Sequence, residues 1–455
     1  MPIQTLNPAT EELVKSFPEH SDAEVDAAIA KSVAAYQVIR EWRFEKRAKA
    51  MRKAAKILED EAESLGKILT LEMGKTLTAA IAEVKKCAWV CRYYADTAQE
   101  HLADEIVETD AAESYRAYLP IGPVLAVMPW NYPFWQVFRF AAPALMAGNT
   151  GLLKHASNVP QSALKIAEIF ERAGFPDGAF QTLLIGGAKV ERVLRDDRIQ
   201  AATLTGSEPA GSAVASVCGE LIKPTVLELG GSDAFIIMPS ADLDDAVKVG
   251  TKARTQNNGQ SCIAAKRFII HQDIYDDVKA RFVKAFRNLK IGDPMDENTD
   301  IGPLVSEQAR KDIAAQVETA ITQGAERVWG GDIMDGDGFY FRPGILENID
   351  KGNVAYSEEI FGPVALLFKV SSIDEAITLA NDSPFGLGSA IFTQDKDEQQ
   401  KAIRNIDAGA TFVNSMTSSD PRLPFGGVKR SGYGRELAAE GIRAFCNCKT
   451  VSIAD

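Results

Sequence analysis

The chain has 455 residues, of which 50 are Lys or Arg and 63 are Asp or Glu, so its formal net charge at pH 7 is −13. This acid excess argues against nucleic acid or an anionic membrane surface as a partner, because both attract basic patches. Hydrophobic residues make up 46% of the chain and charged residues 25%, which excludes an intrinsically disordered protein. The length predicts about two or three domains.

The amino-terminal segment lacks the basic start and apolar run of a signal peptide, and no apolar stretch approaches the roughly 18 residues needed to cross a bilayer. A cytoplasmic protein is therefore expected. The six cysteines do not resemble a disulfide framework, and neither Cys87 and Cys91 nor Cys446 and Cys448 have a histidine at zinc spacing. We expect free thiols and no metal site.

Residues 22–104 are predicted to be helical almost throughout. Asp22 is expected to cap a helix from Ala23 to Arg40, and a longer helical pattern runs from Glu45 to about Leu102. From about residue 118, short apolar runs alternate with helical segments. The predicted strands are Val124–Met128, Thr150–Lys154, Gln181–Ile185, Ala201–Leu204 and Thr225–Glu228, and the predicted helices between them include Gln161–Ala173 and Lys189–Arg195.

The same alternation recurs after residue 230. The further strands are Ala234–Met238, Arg267–His271, Val364–Val370, Ser389–Thr393 and Thr411–Asn414, and the further helices are Asp242–Thr255, Ile274–Asn288 and Ser306–Gln323. Alternating strands and helices are typical of parallel sheets with helices on both faces. Since no low-complexity linker separates the halves, we predict an α/β fold of two closely packed domains.

Common catalytic and nucleotide-binding motifs are absent. The chain has no G-x-G-x-x-G after a strand, no G-x-x-x-x-G-K-[ST], no G-x-S-x-G and no H-E-x-x-H. The strand Ala201–Leu204 is followed by Thr205-Gly206-Ser207-Glu208-Pro209-Ala210-Gly211 and then a helical pattern. Such a turn can donate backbone N–H groups to a phosphate, although by itself it is more typical of a plain strand-to-helix connection.

Cys262 follows the polar, glycine-containing segment Asn257-Asn258-Gly259-Gln260-Ser261 and precedes a predicted strand. It is therefore expected to be accessible. A nucleophilic cysteine needs thiolate character and neighbouring hydrogen-bond donors. Without further context, a structural thiol at the end of a loop is the more ordinary interpretation.

Seven segments, found in the same order and at comparable spacing, resemble the aldehyde dehydrogenase superfamily over essentially the whole chain. They are Pro129-Trp130-Asn131-Tyr132-Pro133, Gly148-Asn149-Thr150 with Lys154, Thr205-Gly206-Ser207, Leu227-Glu228-Leu229-Gly230-Gly231, Gly259-Gln260-Ser261-Cys262, Glu358-Glu359-Ile360-Phe361-Gly362-Pro363 and Pro424-Phe425-Gly426-Gly427. The resemblance implies a Rossmann-like NAD(P)-binding domain, an α/β catalytic domain and a small β oligomerisation extension.

The expected domain boundaries follow from the same resemblance. Residues 1–115 and 135–228 are assigned to the NAD(P)-binding domain, with 116–134 partly in the oligomerisation extension. Residues 229–430 are assigned to the catalytic domain and 431–455 to a carboxy-terminal oligomerisation segment. A homodimer or homotetramer is expected.

The resemblance implies that Cys262 attacks the aldehyde carbon, and that the Asn131 amide and the Cys262 backbone N–H stabilise the oxyanion. Hydride transfer to the nicotinamide leaves a thioester. Glu228 matches the base that activates water for its hydrolysis, and an apolar surround favours a raised pKa for this carboxyl. The ordinary alternatives are a turn residue before Tyr132-Pro133 for Asn131 and a solvated strand end for Glu228.

The resemblance also assigns cofactor contacts. Lys154 matches the lysine that contacts the adenosine ribose, and Glu359 matches the carboxylate that holds the nicotinamide ribose. The remaining expected cofactor residues are Trp130, Ser157, Gly206, Ser207, Gly211 and Phe361.

Ser157 departs from many relatives that prefer NAD, which carry a glutamate three residues after the lysine. A glutamate would repel a 2′-phosphate, whereas Ser157 leaves space and offers a hydroxyl donor. Lys154 and Ser157 together therefore indicate NADP, with NAD possible at lower preference.

Arg139 lies in the aromatic-rich run Phe134-Trp135-Gln136-Val137-Phe138-Arg139-Phe140. An arginine among apolar residues needs an anion, which either a substrate carboxylate or an internal ion-pair partner could supply. Its position is similar to that of a substrate arginine in the succinate-semialdehyde dehydrogenases of the superfamily. One departure weakens the match, because the second arginine expected six residues before the nucleophile is Gln256, with Arg254 displaced by two.

Tyr132 and Ser419 are the other expected substrate-binding residues, with Arg422 as the alternative to Ser419. The predicted function is the oxidation of succinic semialdehyde to succinate with NADP. Another small aldehyde, such as glutarate semialdehyde, is the main alternative. A cysteine hydrolase or thioester-forming transferase would share the nucleophile but would not need Lys154, Ser207 and Glu359.

Overall fold

The structure is a computed structural model that describes residues 2–454. The α-helices are α1 Asp22–Ile39, α2 Phe44–Asp60, α3 Ala62–Met73, α4 Leu77–His101, α5 Trp135–Ala147, α6 Pro160–Ala173, α7 Val190–Leu194, α8 Glu208–Glu220, α9 Leu243–Thr255, α10 Tyr275–Arg287, α11 Glu307–Thr322, α12 Val354–Ser357, α13 Ile373–Asn381, α14 Lys396–Asn405 and α15 Ala438–Arg443.

The strands are β1 Ile3–Leu6, β2 Leu13–Phe17, β3 Glu105–Ile106, β4 Glu113–Pro120, β5 Pro123–Met128, β6 Thr150–His155, β7 Phe180–Thr182, β8 Ala201–Thr205, β9 Thr225–Glu228, β10 Asp233–Ile237, β11 Ala265–His271, β12 Glu326–Gly330, β13 Gly344–Glu347, β14 Val364–Val370, β15 Phe385–Gly386, β16 Ser389–Phe392, β17 Thr411–Val413, β18 Val428–Lys429, β19 Gly432–Tyr433 and β20 Cys446–Ile453. Across residues 2–454, no helix has both the length and the apolar character that crossing a membrane requires.

The first large sheet has the strand order β19-β9-β8-β5-β6-β7 and is parallel except for β19, which runs antiparallel to β9 at the edge. At its centre, β5 pairs with β6 on one side and with β8 on the other. Ligands of open parallel sheets bind beyond the carboxyl ends of the strands. Lys154 and Ser157 near the end of β6 and Gly206 after β8 lie at this edge of the sheet.

The second large sheet has the strand order β12-β13-β14-β11-β10-β16-β17, and β12 is its one antiparallel strand. Cys262 lies three residues before β11 of this sheet, whereas Glu228 is the last residue of β9 in the first sheet. The nucleophile and the base predicted from the sequence are therefore supplied by different sheets.

A small antiparallel sheet projects from these layers, with the order β20-β4-β3. β20 pairs with β4 along its whole length, from Cys446 opposite Pro120 to Ile453 opposite Glu113. β19 also falls in the segment predicted for oligomerisation, residues 431–455, but it pairs with β9 of the first sheet. The domain boundaries given above stay predictions.

The strands predicted between residues 124 and 414 each overlap an observed strand, which confirms the alternation of strands and helices. Near the amino terminus one prediction is wrong in detail. Ser21, not Asp22, caps α1, because the Ser21 hydroxyl accepts from the Glu24 backbone N–H and the Glu24 carboxylate accepts from the Ser21 N–H. This reciprocal pair is a capping box.

The helical pattern predicted from Glu45 to Leu102 is divided into α2, α3 and α4. Gly74 ends α3 with a φ of +80°, and a Cβ at this position would lie 2.7 Å from the Pro303 carbonyl oxygen. Thr76 then begins α4 by accepting from the Ala79 backbone N–H. Hydrophobic periodicity alone does not show such breaks, because it continues through them.

Helix α5 is buried along its entire length. Phe134, Phe138 and Phe170 form a continuous aromatic contact, with ring centroids 6.0 and 5.2 Å apart. Because no side of α5 faces water, its polar side chains, Gln136 and Arg139, must find partners inside the protein.

Glu83 on α4 fixes the start of α5. Its Oε1 accepts from the backbone N–H groups of Phe134 and Trp135, at 2.9 and 3.0 Å, and its Oε2 pairs with the buried Lys75 ammonium. A carboxylate at a helix N-terminus satisfies donors that have no partner within the helix. The contact positions the segment before α5, which contains Asn131.

We expect Glu83→Ala to lower the free energy of unfolding by about 3–5 kcal/mol, because it leaves the buried Lys75 charge without its partner. Urea denaturation followed by tryptophan fluorescence measures this change. Glu63→Ala is the matched control, since Glu63 pairs with Lys67 on the exposed side of α3 and its loss should leave stability unchanged. Equal effects of the two substitutions would contradict the structural role of Glu83.

Candidate active site

The loop that carries Cys262 is held in an unusual backbone conformation. Asn257, Asn258 and Gly259 all have positive φ angles, of 55°, 58° and 77°. A Cβ at position 259 would lie 2.4 Å from the Gly362 carbonyl carbon and from the Pro363 nitrogen. Gly259 is therefore required both by its left-handed conformation and by the close approach of the 362–363 backbone.

Several side chains tie this loop to its surroundings. Lys266 donates to the carbonyl oxygens of Ser261 and Cys262, at 2.8 and 2.7 Å. Arg254, which the sequence analysis considered as a displaced substrate arginine, is buried and donates to the Gly259 carbonyl at 2.6 Å. Its role in the structure is to support the loop.

Asn131 is oriented by hydrogen bonds at both ends of its amide. Its Oδ1 accepts from Gln136 Nε2 at 3.0 Å, and its Nδ2 donates to the Gln260 carbonyl at 3.2 Å. Asn257 Nδ2 also joins the two segments by donating to the backbone oxygens of Asn131 and Gln260, at 2.8 and 2.9 Å. The amide donor of Asn131 is thereby held toward the loop of the nucleophile.

Cys262 opens onto a cavity of about 690 Å³. All three residues predicted to bind substrate, Arg139, Tyr132 and Ser419, line this cavity together with Cys262. Arg422, the alternative to Ser419, is exposed and pairs with Asp420 at 2.6 Å. The structure therefore brings the predicted nucleophile and the predicted substrate residues to one place.

Burial raises the pKa of the Cys262 thiol to about 12, although the nearby charges of Lys266 and Arg139 act in the opposite direction. The side chain is thus a thiol at neutral pH in this state of the protein. Formation of the thiolate requires a base or the arrival of further positive charge.

Glu228 is a buried carboxyl, and neither of its oxygens has a hydrogen-bond partner within residues 2–454. Burial raises the pKa of Glu228 well above its ordinary value, and the neighbouring carboxyl of Glu436 raises it further, while Arg139 and Arg435 lower it. A carboxylate whose pKa is raised is a stronger base than an ordinary glutamate. Glu228 does not line the Cys262 cavity itself.

Arg139 already has an internal anion. Its Nε lies 2.7 Å from Glu436 Oε2, both side chains are buried, and its guanidinium lies 4.6 Å from the centre of the Phe425 ring. Of the two possible sources of an anion for this arginine, an internal partner and a substrate carboxylate, the internal partner Glu436 is present in the structure. Contact between Arg139 and a substrate carboxylate stays a prediction.

The residues predicted to bind the adenosine end of a dinucleotide lie at or just after the carboxyl ends of β6 and β8. Burial lowers the pKa of Lys154, and no carboxylate within residues 2–454 forms an ion pair with it. Ser207 begins α8 without using its side chain as a cap, and the Gly206 N–H donates to the Glu228 carbonyl at 3.0 Å. An unpaired cation and the open N-terminus of a helix fit a phosphate-bearing ligand.

Gly211 has a packing role on the same helix. A Cβ at this position would lie 2.6 Å from a Leu229 methyl group, so only glycine lets α8 approach the chain after β9 so closely. The contact of Gly211 with a cofactor stays a prediction, because this packing role does not depend on a cofactor.

On the nicotinamide side, Glu359 Oε1 pairs with Lys266 Nζ at 2.9 Å. Trp130 and Phe361 meet edge to face, with ring centroids 5.9 Å apart. Lys266 therefore connects the predicted cofactor carboxylate, Glu359, with the backbone of the Cys262 loop. The donor and acceptor groups present fit a dinucleotide, and the cofactor assignments stay predictions.

Four charged residues of the site were not found from the sequence: Lys86, Glu83, Lys266 and Glu436. Lys86 lines the Cys262 cavity from α4, a helix far from the other motifs in the chain. Lys266 offered the clearest signal, since a lysine inside a strand of apolar residues needs a partner. The others lie in ordinary helical or loop sequence that gives no such indication.

Comparison with known proteins identifies the family. A model of the Aldehyde dehydrogenase family matches residues 1–451. The chain is 58% identical over 454 residues to a probable succinate-semialdehyde dehydrogenase [NADP(+)] of Synechocystis, covering all of both chains. It is also 58% identical over 460 residues to succinate-semialdehyde dehydrogenase [NADP(+)] of Mycobacterium avium, covering all of this chain and 97% of that one.

Solved structures agree with this assignment. The crystal structure of succinic semialdehyde dehydrogenase from Streptococcus pyogenes with NADP+ has a TM-score of 0.98 and 40% identity, with full coverage of both chains. An NAD-dependent aldehyde dehydrogenase from Sinorhizobium meliloti has a TM-score of 0.97 and 30% identity, covering all of this chain and 91% of that one. The match over the full length, in sequence and in fold, shows that the chain belongs to the aldehyde dehydrogenase family.

Proposed function

We propose that this protein oxidises succinic semialdehyde to succinate with NADP as the hydride acceptor. The main support for this proposal is that Cys262 lines the same cavity as cationic and hydroxyl side chains, among them Arg139 and Ser419. A small aldehyde that also bears a carboxylate matches this combination of a nucleophile and anion-binding groups. The names of the relatives with 58% identity support the same substrate and cofactor.

In the proposed reaction the Cys262 thiol releases its proton to water, and the sulfur attacks the aldehyde carbon and forms a thiohemiacetal as its oxyanion. The Asn131 amide and the Cys262 backbone N–H donate to the developing oxyanion. NADP, when bound, would supply the acceptor for the hydride of this carbon, and loss of that hydride would leave a thioester on Cys262. Glu228 takes a proton from water, and the resulting hydroxide attacks the thioester and releases succinate and the Cys262 thiol.

Lys154 and Ser157 support the proposed preference for NADP. Lys154 is the penultimate residue of β6 and Ser157 follows the end of this strand, and Lys154 is a cation without an ion-pair partner among the described residues. A 2′-phosphate would supply that partner, and the Ser157 hydroxyl could donate to it. NAD lacks this phosphate and is proposed to be the poorer cofactor.

A cytoplasmic location is proposed as well. The six cysteines of the chain are free thiols in the structure, although Cys87 and Cys91 lie on one face of α4. Thiols that stay reduced are typical of a reducing compartment.

Ser157→Glu is expected to lower the ratio of kcat/KM for NADP to that for NAD by about tenfold or more, because a carboxylate at this position would repel the 2′-phosphate. Steady-state kinetics with both cofactors measure the ratio. Ser157→Ala is the matched control, since it removes the hydroxyl without adding charge and should reduce the ratio much less. An unchanged ratio in Ser157→Glu would refute the assignment of this position to the 2′-phosphate.

Glu436→Gln is expected to shift the rising limb of the pH profile of kcat to lower pH. Glu436 raises the pKa of Glu228, and its removal also leaves the Arg139 charge unbalanced, so both effects lower the pKa of the base. Glu440→Gln, an exposed substitution on α15, is the control and should cause no shift. A shift to higher pH would rule out this coupling between the two carboxyls.

A homodimer or homotetramer is proposed, with contacts through the small sheet of β3, β4 and β20. Leu119 and Ile453 on this sheet are 43% and 46% exposed, and β20 is an edge strand with free backbone groups. Exposed apolar edges are typical of protein interfaces. The exposed apolar side chains and the free edge of β20 support the proposal of an assembly through this sheet.

Leu119→Arg combined with Ile453→Arg is expected to convert the assembly into monomers, because four charged groups would meet at a dimer contact. Size-exclusion chromatography with light scattering gives the mass in solution. Ile222→Arg is the control, since Ile222 is 88% exposed at the end of α8, away from this sheet. A double variant with the mass of the unsubstituted protein would place the interface elsewhere.

A further inference from the structure

Five cationic residues line the cavity beside Cys262. Lys248 and Lys252 are exposed, whereas the three interior ones, Lys75, Lys86 and Arg139, are buried or partly buried. Lys75 pairs with Glu83, and Arg139 pairs with Glu436. Within residues 2–454, Lys86 forms no ion pair with any carboxylate. It is the interior cation of this cavity whose charge the described protein does not balance.

Lys86 is held in place by a hydroxyl and an indole. Its Nζ donates to Ser419 Oγ at 2.8 Å and lies 4.4 Å from the centre of the Trp135 ring. Trp135 Nε1 donates to the same Ser419 oxygen at 3.0 Å. Since Ser419 Oγ accepts from both neighbours, its own hydrogen is available to donate to a ligand.

The acidic groups closest to Lys86 are engaged elsewhere. Glu83 binds Lys75 and the backbone at the start of α5. Asp420 receives two hydrogen bonds from the Arg422 guanidinium, at 2.8 and 2.6 Å. An ammonium partly removed from water without a counter-ion is unfavourable, and a ligand carboxylate would relieve this cost.

We propose that Lys86 binds the substrate carboxylate together with the Ser419 hydroxyl, and that this contact selects semialdehydes that carry a carboxylate over neutral aldehydes. The Lys86 ammonium has three hydrogens and donates one of them to Ser419 Oγ, so two remain for hydrogen bonds to the ligand. Because Lys86 and Cys262 line the same cavity, one small substrate can meet both. The inference rests on the proposed function and assigns its specificity to a residue outside the family motifs.

The assignment predicts a pH dependence of substrate selection. Burial lowers the pKa of Lys86 to about 8, with Arg139 acting in the same direction and the acidic groups of Cys87, Asp420 and Glu83 in the opposite direction. Above this pH the free enzyme loses the ammonium charge. The preference for a charged substrate therefore decreases as the pH rises through about 8.

Lys86→Met is expected to raise KM for succinic semialdehyde by about tenfold or more and to leave KM for butanal unchanged. Lys86→Arg keeps the charge and should restore most of the selectivity. Lys85→Met is the matched control, because it removes an exposed lysine from the neighbouring position of α4 and should change neither constant. Equal changes for the two aldehydes in Lys86→Met would overturn the proposal.

A second test needs no substitution. The ratio of kcat/KM for succinic semialdehyde to that for butanal should fall between about pH 7 and pH 9 in the unsubstituted enzyme, and should stay level in Lys86→Arg. Titration of Cys262 and Glu228 affects both aldehydes and cancels in this ratio. A ratio that is constant across this range in the unsubstituted enzyme would contradict the role of Lys86.

Succinate, used as an inhibitor against butanal oxidation, separates this inference from the proposed function. If the enzyme does not favour succinic semialdehyde but succinate competes with butanal and Lys86→Met abolishes the competition, the proposed substrate is wrong and the anion site stands. If the enzyme favours succinic semialdehyde and succinate inhibits Lys86→Met as strongly as the unsubstituted enzyme, the substrate stands and the assignment to Lys86 is wrong. Failure of both measurements rejects both proposals.

Discussion

The ion pair between Arg139 and Glu436 links the main parts of the active site. Arg139 lies on the buried helix α5 and lines the cavity of Cys262, whereas Glu436 lies in the carboxy-terminal segment beside Glu228. The pair therefore connects the cavity of the nucleophile with the surroundings of the base. Glu436 raises the pKa of Glu228, and Arg139 lowers the pKa values of both Glu228 and Cys262. A buried pair of this kind is costly to break, so the charges around both groups are held constant.

The overall charge of the protein is unfavourable for the ligands proposed here. The chain carries a net charge of −13, whereas NADP and a semialdehyde carboxylate are both anions. The structure compensates locally, since Lys154 and Lys86 are cations without ion-pair partners among residues 2–454. Each lies where one of the two ligands is proposed to place its negative charge. The attraction between a ligand anion and a lysine a few ångströms away is stronger than the repulsion from distant carboxylates, which salt screens.

Most of the fold could be predicted from the sequence. The alternation of short apolar runs with helical segments predicted both parallel sheets, because buried strands and amphipathic helices differ in their hydrophobic period. The breaks at Gly74 and Thr76 were missed, since the apolar pattern continues across them. The cap at Ser21 was placed one residue late, because Asp22 is an equally good capping residue type and the geometry of the turn decides between them.

In the candidate site, the sequence predicted the main functional residues but not the distant residues that contact them. Cys262, Asn131 and Glu228 were proposed from short motifs, and the structure places Cys262 in one cavity with Tyr132, Arg139 and Ser419. The partners of these groups come from distant parts of the chain. Ser419 meets Lys86, which lies 333 residues away in sequence. No local pattern records such a contact.

The sequence by itself determined the family resemblance, the two α/β sheets and the residue types of the nucleophile, the base and the cofactor loops, because these depend on local motifs and hydrophobic period. Only the tertiary structure decided which charges are paired. It joined Arg139 to Glu436 and Lys75 to Glu83, and it left Lys86 without a carboxylate among the described residues. The balance of a buried charge depends on groups within a few ångströms in space, and helix packing, not chain order, sets those distances.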